Sequence, residues 1–95
     1  EIKLDSIMPF DDGCSYHFFW VRVKSRKKFR KFMNDYGIET GTHYKPIHKM
    51  TFFDKKIHLP NTEQISKEIV IIPTHPNLSQ DDVDYIIKKI NLYNA

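Results

Sequence analysis

The segment of residues 16–23 constrains the fold more than any other, because it is largely apolar on both faces of an extended chain. One face carries Tyr16, Phe18, Trp20 and Arg22, and the other carries His17, Phe19, Val21 and Val23. Aromatic and β-branched residues of this kind favour a strand. A strand with two apolar faces needs cover on both sides, so the sequence predicts a central strand here.

Two amphipathic helices are predicted, one in each half of the chain. The first begins after Ser25, which can cap it, and ends near Tyr36, where Gly37 supplies a stop. The second begins after Ser79, and the acidic residues of its first turn suit the positive end of the helix dipole. Both helices have apolar side chains at the spacing of a buried stripe. The stripes consist of Phe29, Phe32, Met33 and Tyr36 in the first helix and Val83, Ile86, Ile87 and Ile90 in the second.

A shorter helix and a second strand are predicted between these two helices. Pro60, with Asn61 or Thr62 as the cap, indicates the start of a helix that ends near Glu68. The β-branched residues 69–72 then predict a buried strand.

The rest of the chain is expected to be less regular. Residues 38–44 predict a weak strand, interrupted by Gly41, and residues 45–59 predict a long loop. Residues 1–15 are expected to form an irregular lead-in to the domain of residues 16–95. The sequence therefore predicts an α+β fold, a two-layer sandwich in which about three helices cover a small sheet of about three strands.

The size and composition of the chain exclude several classes of protein. Ninety-five residues, 14% of them aromatic, are typical of one folded domain with a thin core. No apolar run approaches the roughly 18–20 residues that a membrane span requires, and no secretory signal opens the chain. The single cysteine, Cys14, fits a reducing cytoplasm better than a disulfide scaffold. The start at Glu1, without an initiator methionine, is consistent with a piece of a longer protein.

Positive charge is concentrated in the first two thirds of the chain, where twelve Lys and Arg residues outnumber seven Asp and Glu residues. Such a field can steer nucleic acid or phosphate-bearing small molecules alike. The most basic run, residues 24–32, interleaves cations with phenylalanines as RNA-binding segments do. Phe29 and Phe32 belong to the predicted buried stripe, however, so we interpret this run chiefly as a solvated helix face.

The spacing of histidine and cysteine predicts neither a metal site nor a catalytic nucleophile. Zinc needs three or four ligands that close a tetrahedron. His43 and His48 are separated by a proline, Cys14 has no C-x-x-C partner, and the chain has no H-E-x-x-H motif. Nothing beside Cys14 marks it as an activated thiol.

Residues 41–58 are the most informative part of the chain for function. They contain four lysines, three histidines, two threonines and a tyrosine against one acidic residue, Asp54. Donors of these types bind phosphate and other oxyanions when they converge. The same composition also describes a mobile polar loop anchored by Phe52 and Phe53, and the residue types alone leave both readings open.

Four strings occur in an order and spacing that resemble a known family. They are G-I-E-T-G-T-H-Y-K-P-I-H at residues 37–48, L-P-N-T-E at 59–63, I-I-P-T-H-P-N-L-S at 71–79 and D-D-V-D-Y-I-I-K-K-I at 81–90. Together with the upstream strand and helix, they resemble the C-terminal part of the nucleotide-sugar aminotransferases of the DegT/DnrJ/StrS type. The ordered set is much more specific than any single string.

The resemblance implies a pyridoxal-phosphate-dependent enzyme of aminotransferase fold type I. Such an enzyme transfers an amino group, usually from glutamate, to a keto sugar on a nucleotide diphosphate, and it is usually a homodimer. In the family, a large N-terminal domain brings the lysine that binds the cofactor covalently. This chain would be the C-terminal small domain of a cytoplasmic enzyme, without catalytic residues, and by itself it is expected to bind no cofactor and to be inactive.

The resemblance also implies which residues contact the substrate. Carried over position by position, the G-T-H-Y loop approaches the sugar nucleotide, with His43 and Tyr44 as the expected contacts and His48 as a weaker candidate. Lys45 and Lys49 are expected to attract the diphosphate at longer range. Their roles would be positioning and charge complementarity.

Two alternatives from other classes remain open. One is a stand-alone basic module that binds RNA or another anion, with an affinity that falls steeply as salt is added. The other is an inactive fragment that docks on a separate large domain, for which exposed apolar patches are expected.

Overall fold

The computed structural model describes residues 4–7, 9–15, 17–53 and 56–94. Its strands are β1 (Leu4–Ile7), β2 (Phe19–Val23) and β3 (Ile69–Ile72), and its helices are α1 (Arg26–Asp35), α2 (Pro60–Glu68) and α3 (Gln80–Asn94). The α+β class and the three predicted helices are confirmed. None of the helices in this part of the chain has the length and apolar character needed to cross a bilayer.

Strand β2 lies in the middle of an antiparallel sheet, as the two apolar faces of its sequence predict. It pairs with β1 on one edge and with β3 on the other. The register with β3 places Val21 opposite Val70 and Phe19 opposite Ile72. Because side chains alternate along a strand, these four residues and Val23 project from the same face of the sheet.

The core lies between this face of the sheet and helices α1 and α3. Phe29 and Met33 of α1 are fully buried, and Ile86 and Ile90 of α3 are almost so. The predicted stripes are confirmed at these four positions, whereas Tyr36 and Ile87, which were also assigned to the stripes, are 37% and 50% exposed. Helix α2 contributes no residue to this apolar cluster, because its sequence has few apolar side chains.

Helix α1 ends in a hydrogen-bonding pattern that turns the chain sharply. Gly37 has a φ of +76°, a conformation that glycine adopts without the steric penalty of a Cβ atom. Its N–H donates to the carbonyl of Asn34, and the N–H of Ile38 donates to the carbonyl of Met33, both at 2.9 Å. This is the Schellman pattern. Ile38 then enters the core, so the turn sets the course of residues 39–44.

Helix α3 begins with Ser79 as its cap, as the sequence predicts. The Ser79 hydroxyl accepts a hydrogen bond from the N–H of Asp82 at 3.0 Å, and the Ser79 N–H donates to the Asp82 carboxylate at 3.1 Å. The side chain of each residue thus accepts a hydrogen bond from the backbone N–H of the other. This reciprocal cap fixes the first turn of α3 beside the turn that follows β3.

Two parts of the backbone differ from the prediction. Residues 38–44 do not form a strand, and among them only Gly41 bridges to β3, opposite Ile71. The expected irregular lead-in at residues 1–15 contains a strand, because Leu4–Ile7 pairs with β2. The strand beside β2 comes from the start of the chain and not from the segment after α1.

The segment before α2 is more regular than the predicted loop. It contains two short 3₁₀ turns, Ile47–Lys49 and Thr51–Phe53. Helix α2 has Leu59 as its N-cap instead of Asn61 or Thr62, and Pro60 is its first residue. Proline suits this position because its missing N–H would have no partner within the helix.

Candidate functional site

An open cleft of about 990 Å³ lies between the segment of residues 37–43, the chain that follows β3, and the start of α3. Ile71, Ile72 and Ile86 provide part of its apolar lining. Its polar lining includes Arg30, Thr40, His43, His75, Asp82 and Tyr85. A concave site with an apolar lining and a few polar groups is the usual form of a small-molecule site.

His43 lines this cleft, and its ring forms a cluster with those of Phe18 and of the following residue, Tyr44. The ring centroid of Phe18 lies 5.6 Å from that of His43 and 5.3 Å from that of Tyr44. The His43 and Tyr44 rings stack on each other at 5.2 Å. Contacts at these distances orient the rings by packing. Both side chains nevertheless stay exposed, Tyr44 by 67%, so a ligand can reach them.

The backbone just before His43 is tied to strand β3. The N–H of Gly41 donates to the carbonyl of Ile71 at 3.0 Å, and the N–H of Ile71 donates to the carbonyl of Gly41 at 2.8 Å. The His43 ring lies close to Gly41, since a Cβ built at that glycine would be 3.5 Å from two of the ring atoms. The G-T-H-Y loop therefore starts from a point that is fixed on the sheet.

His48 differs from His43 and Tyr44 because its side chain is buried. It lies on the turn Ile47–Lys49 and is only 8% exposed. Within the described part of the chain its Nε2 has no hydrogen-bond partner, and a carboxylate oxygen of Glu63 lies 3.9 Å away. The structure thus places His48 against the start of α2 and not beside His43 on the open surface.

Lys49 and Lys45 differ in their availability to an anion. The Lys49 Nζ lies 2.8 Å from a carboxylate oxygen of Glu63. This hydrogen bond is the main cause of the lowered pKa of Glu63. Lys45 is exposed and makes no ion pair with another described residue. Of the two lysines, Lys45 has the charge that remains available.

The basic run of α1 presents cations to solvent without exposed rings between them. Phe29 is fully buried, and Phe32 packs against Tyr36 and Tyr93. Single-stranded RNA binding uses exposed rings as stacking platforms. The run therefore lacks that element, and Lys27, Lys28 and Lys31 are exposed, as a solvated helix face requires.

The cleft does not fit pyridoxal phosphate by itself. The covalent bond to this cofactor needs a lysine in a site that lowers the pKa of its amine. No lysine of the described residues lines the cleft. We therefore assign no chemical step to the cofactor within this chain. Throughout the same residues, no three His, Cys, Asp or Glu side chains are grouped so that they could hold a metal ion.

Two parts of the site were missed by the sequence analysis. Phe18 was assigned to a strand face, and the alternation of that strand gives no sign that its ring meets His43 and Tyr44. Arg30 was assigned to the solvated face of α1, although its guanidinium donates to Thr40 across the cleft wall. Neither contact has a local sequence signal, because each joins two segments that only the fold brings together.

Known proteins resemble this chain along almost its whole length. The family model of the DegT/DnrJ/EryC1/StrS aminotransferases matches residues 2–91. The dTDP-3-amino-3,6-dideoxy-alpha-D-galactopyranose transaminase of Aneurinibacillus thermoaerophilus is 33% identical over 86 residues, which make up 87% of this chain and 24% of that protein.

Solved structures agree with this relationship. The aminotransferase TlmJ from Streptoalloteichus hindustanus has a TM-score of 0.79 and 27% identity, over 96% of this chain and 25% of its own. DesV of S. venezuelae has a TM-score of 0.80 and 26% identity, over 98% of this chain and 26% of its own. The chain spans about a quarter of the length of these relatives. From the match over residues 2–91 we conclude that the chain belongs to the DegT/DnrJ/EryC1/StrS aminotransferase family.

Proposed function

We propose that this chain is the C-terminal domain of a pyridoxal-phosphate-dependent aminotransferase. The complete enzyme, meaning the polypeptide in which a large N-terminal domain precedes this chain, moves an amino group from glutamate onto a nucleotide-linked keto sugar. One observation carries the proposal: in a chain of this family, the G-T-H-Y loop holds His43 and Tyr44 oriented and exposed beside a cleft. The related transaminase of A. thermoaerophilus, whose name specifies a dTDP-linked amino sugar, supports this substrate class.

In this proposal the loop binds and orients the sugar nucleotide. The imidazole of His43 and the phenol of Tyr44 offer hydrogen bonds to sugar hydroxyls or phosphate oxygens. Lys45 attracts the diphosphate, since its charge is not paired with a described carboxylate. His48 and Lys49 lie against Glu63 and hold the segment after the loop close to the start of α2. Holding the keto group in one orientation is how such contacts accelerate a reaction.

The remainder of the enzyme has a separate task. Pyridoxal phosphate, held by residues outside this chain, supplies the electron sink for amino transfer. The complete enzyme acts as a cytoplasmic homodimer, and this chain alone turns over no substrate. Nucleic acid has no part in the proposal, because the basic face of α1 lacks exposed rings.

A group of exposed aliphatic side chains forms a surface on which the large domain can dock. They lie on and around the turn Ile47–Lys49 and helix α2, in the same stretch of chain as the loop. Their exposed fractions are 65% for Ile47, 45% for Ile57, 42% for Leu59 and 40% for Ile65. A neighbouring domain that covers such side chains removes apolar surface from water, which stabilises the assembled enzyme.

An assay of the complete enzyme tests the proposed function. The purified enzyme, loaded with pyridoxal phosphate, is supplied with glutamate and a panel of nucleotide-linked keto sugars, and the formation of 2-oxoglutarate is followed. We expect turnover with at least one keto sugar and none when residues 1–95 are deleted. The proposal fails if no keto sugar is aminated, or if the deleted form is as active as the complete enzyme.

A further inference from the structure

Arg30 makes a two-point contact with the segment that leads into the G-T-H-Y loop. Its Nε donates to the hydroxyl of Thr40 at 3.1 Å, and its Nη2 donates to the carbonyl of Thr40 at 3.0 Å. Two parallel donors on one planar group fix the direction of the partner as well as its distance. Arg30 makes no ion pair with a carboxylate of the described residues. Its guanidinium is therefore held by Thr40 and not by an acidic side chain.

The same piece of backbone is held from its other side by the sheet. Gly41, the next residue, exchanges two hydrogen bonds with Ile71 of β3. Residues 40 and 41 are therefore fastened between α1 and β3, although they belong to no regular element. The His43 ring lies close to Gly41, so a shift of this backbone would move the ring.

We propose that Arg30 is a positioning residue that orients His43 and Tyr44 for the sugar nucleotide. This inference rests on the proposed function, which makes those two residues substrate contacts. Arg30 acts through Thr40 and Gly41. The proposal rests on two contacts at the start of the loop. The guanidinium of Arg30 binds Thr40 from one side, and Ile71 binds the backbone of Gly41 from the other.

The chemistry of the contact makes arginine specific at this position. A lysine carries the same charge but has a single flexible ammonium group, which cannot hold the hydroxyl and the carbonyl in a fixed fork. The side chain of Arg30 is exposed and lies outside the apolar core. Its removal should therefore loosen the loop without unfolding the domain.

Variants of the complete enzyme separate this role from a general effect on stability. Arg30→Lys and Arg30→Ala remove the fork, and Lys28→Ala is the control, since Lys28 is also exposed on α1 and does not line the cleft. Thr40→Val removes only the hydroxyl acceptor, whereas Thr40→Ser keeps it. Two readouts are compared: hydrogen exchange at the Gly41 amide, and the KM for the sugar nucleotide against the KM for glutamate.

We expect Arg30→Lys and Arg30→Ala to speed exchange at Gly41 and to raise the KM for the sugar nucleotide, each by about three- to tenfold. The KM for glutamate should stay unchanged. Thr40→Val should show part of the effect, Thr40→Ser should show less of it than Thr40→Val, and Lys28→Ala should behave like the wild type. A rescue by lysine, or an equal rise in both KM values, would overturn the positioning role.

The exchange measurement distinguishes failure of this inference from failure of the proposed function, because it needs no turnover. Unchanged exchange in Arg30→Ala, in an enzyme that aminates a nucleotide sugar, would overturn the inference alone. Faster exchange in an enzyme that acts on no nucleotide sugar would overturn the proposed function, and with it the assignment of Arg30 to substrate positioning.

Discussion

Replacement of His43 by alanine in the complete enzyme should raise the KM for the sugar nucleotide about tenfold and leave the KM for glutamate almost unchanged. A hydrogen bond to a ligand contributes roughly 1–1.5 kcal/mol, and about 1.4 kcal/mol corresponds to a factor of ten. His43 lines the cleft and is exposed to a ligand, while its ring is oriented by stacking on Tyr44. Steady-state kinetics with each substrate varied in turn measures the two constants.

The matched control for this variant is His58→Ala. His58 is also an exposed histidine, but it does not line the cleft. We expect this control to change neither constant. Equal changes in both constants for His43→Ala would show that the residue supports the fold or the cofactor site, and would contradict its assignment to the sugar nucleotide.

Replacement of Phe29 by alanine should cost the 95-residue chain about 3–5 kcal/mol of unfolding free energy. Phe29 is fully buried among side chains of β2, β3 and α3, and its ring meets that of Tyr93 edge-on with 4.9 Å between centroids. Its removal would leave a large cavity in the only apolar core that the described residues form. Because domains are stable by about 5–15 kcal/mol in total, such a loss is a large fraction of the stability.

Denaturant unfolding followed by far-ultraviolet circular dichroism measures this effect. Phe52→Ala is the matched control, because the same side chain is removed from a position that is 88% exposed. We expect the control to lie within about 0.5 kcal/mol of the wild type. Phe29→Leu, which keeps most of the volume, should lie between the two variants. A similar loss for Phe29→Ala and Phe52→Ala would mean that the core is not where the structure places it.

Helix α3 was predictable because its signals are local. Ser79 and Asp82 cap each other within one turn, and the apolar residues that follow repeat at helical spacing. Strand β2 was equally clear, since its aromatic and β-branched residues favour a strand. In these elements the information that decides the structure lies within a few neighbouring residues.

The errors came from contacts between distant segments. The residues Leu4–Ile7 have only weak strand character, and they form a strand because the free edge of β2 offers hydrogen-bond partners. Residues 38–44 were expected to form a weak strand, but among them only Gly41 pairs with β3, and Arg30 holds the neighbouring Thr40. Neither outcome could be read from the segments themselves.

The candidate site was predictable only where its signals are local. The G-T-H-Y motif led to His43 and Tyr44, and the structure brings their rings together with that of Phe18. The motif does not predict the ion pair between Lys49 and Glu63, since that contact depends on how the start of α2 packs against the preceding turn. The roles of these residues toward a substrate stay predictions.

The central claim is that this chain contributes substrate contacts to an enzyme whose cofactor lysine lies elsewhere. The most direct test is to reduce the complete, cofactor-loaded enzyme with borohydride, digest it, and locate the modified lysine by mass spectrometry. We expect a single pyridoxyl-lysine, in the large N-terminal domain. A pyridoxyl group on any lysine of residues 1–95 would contradict it.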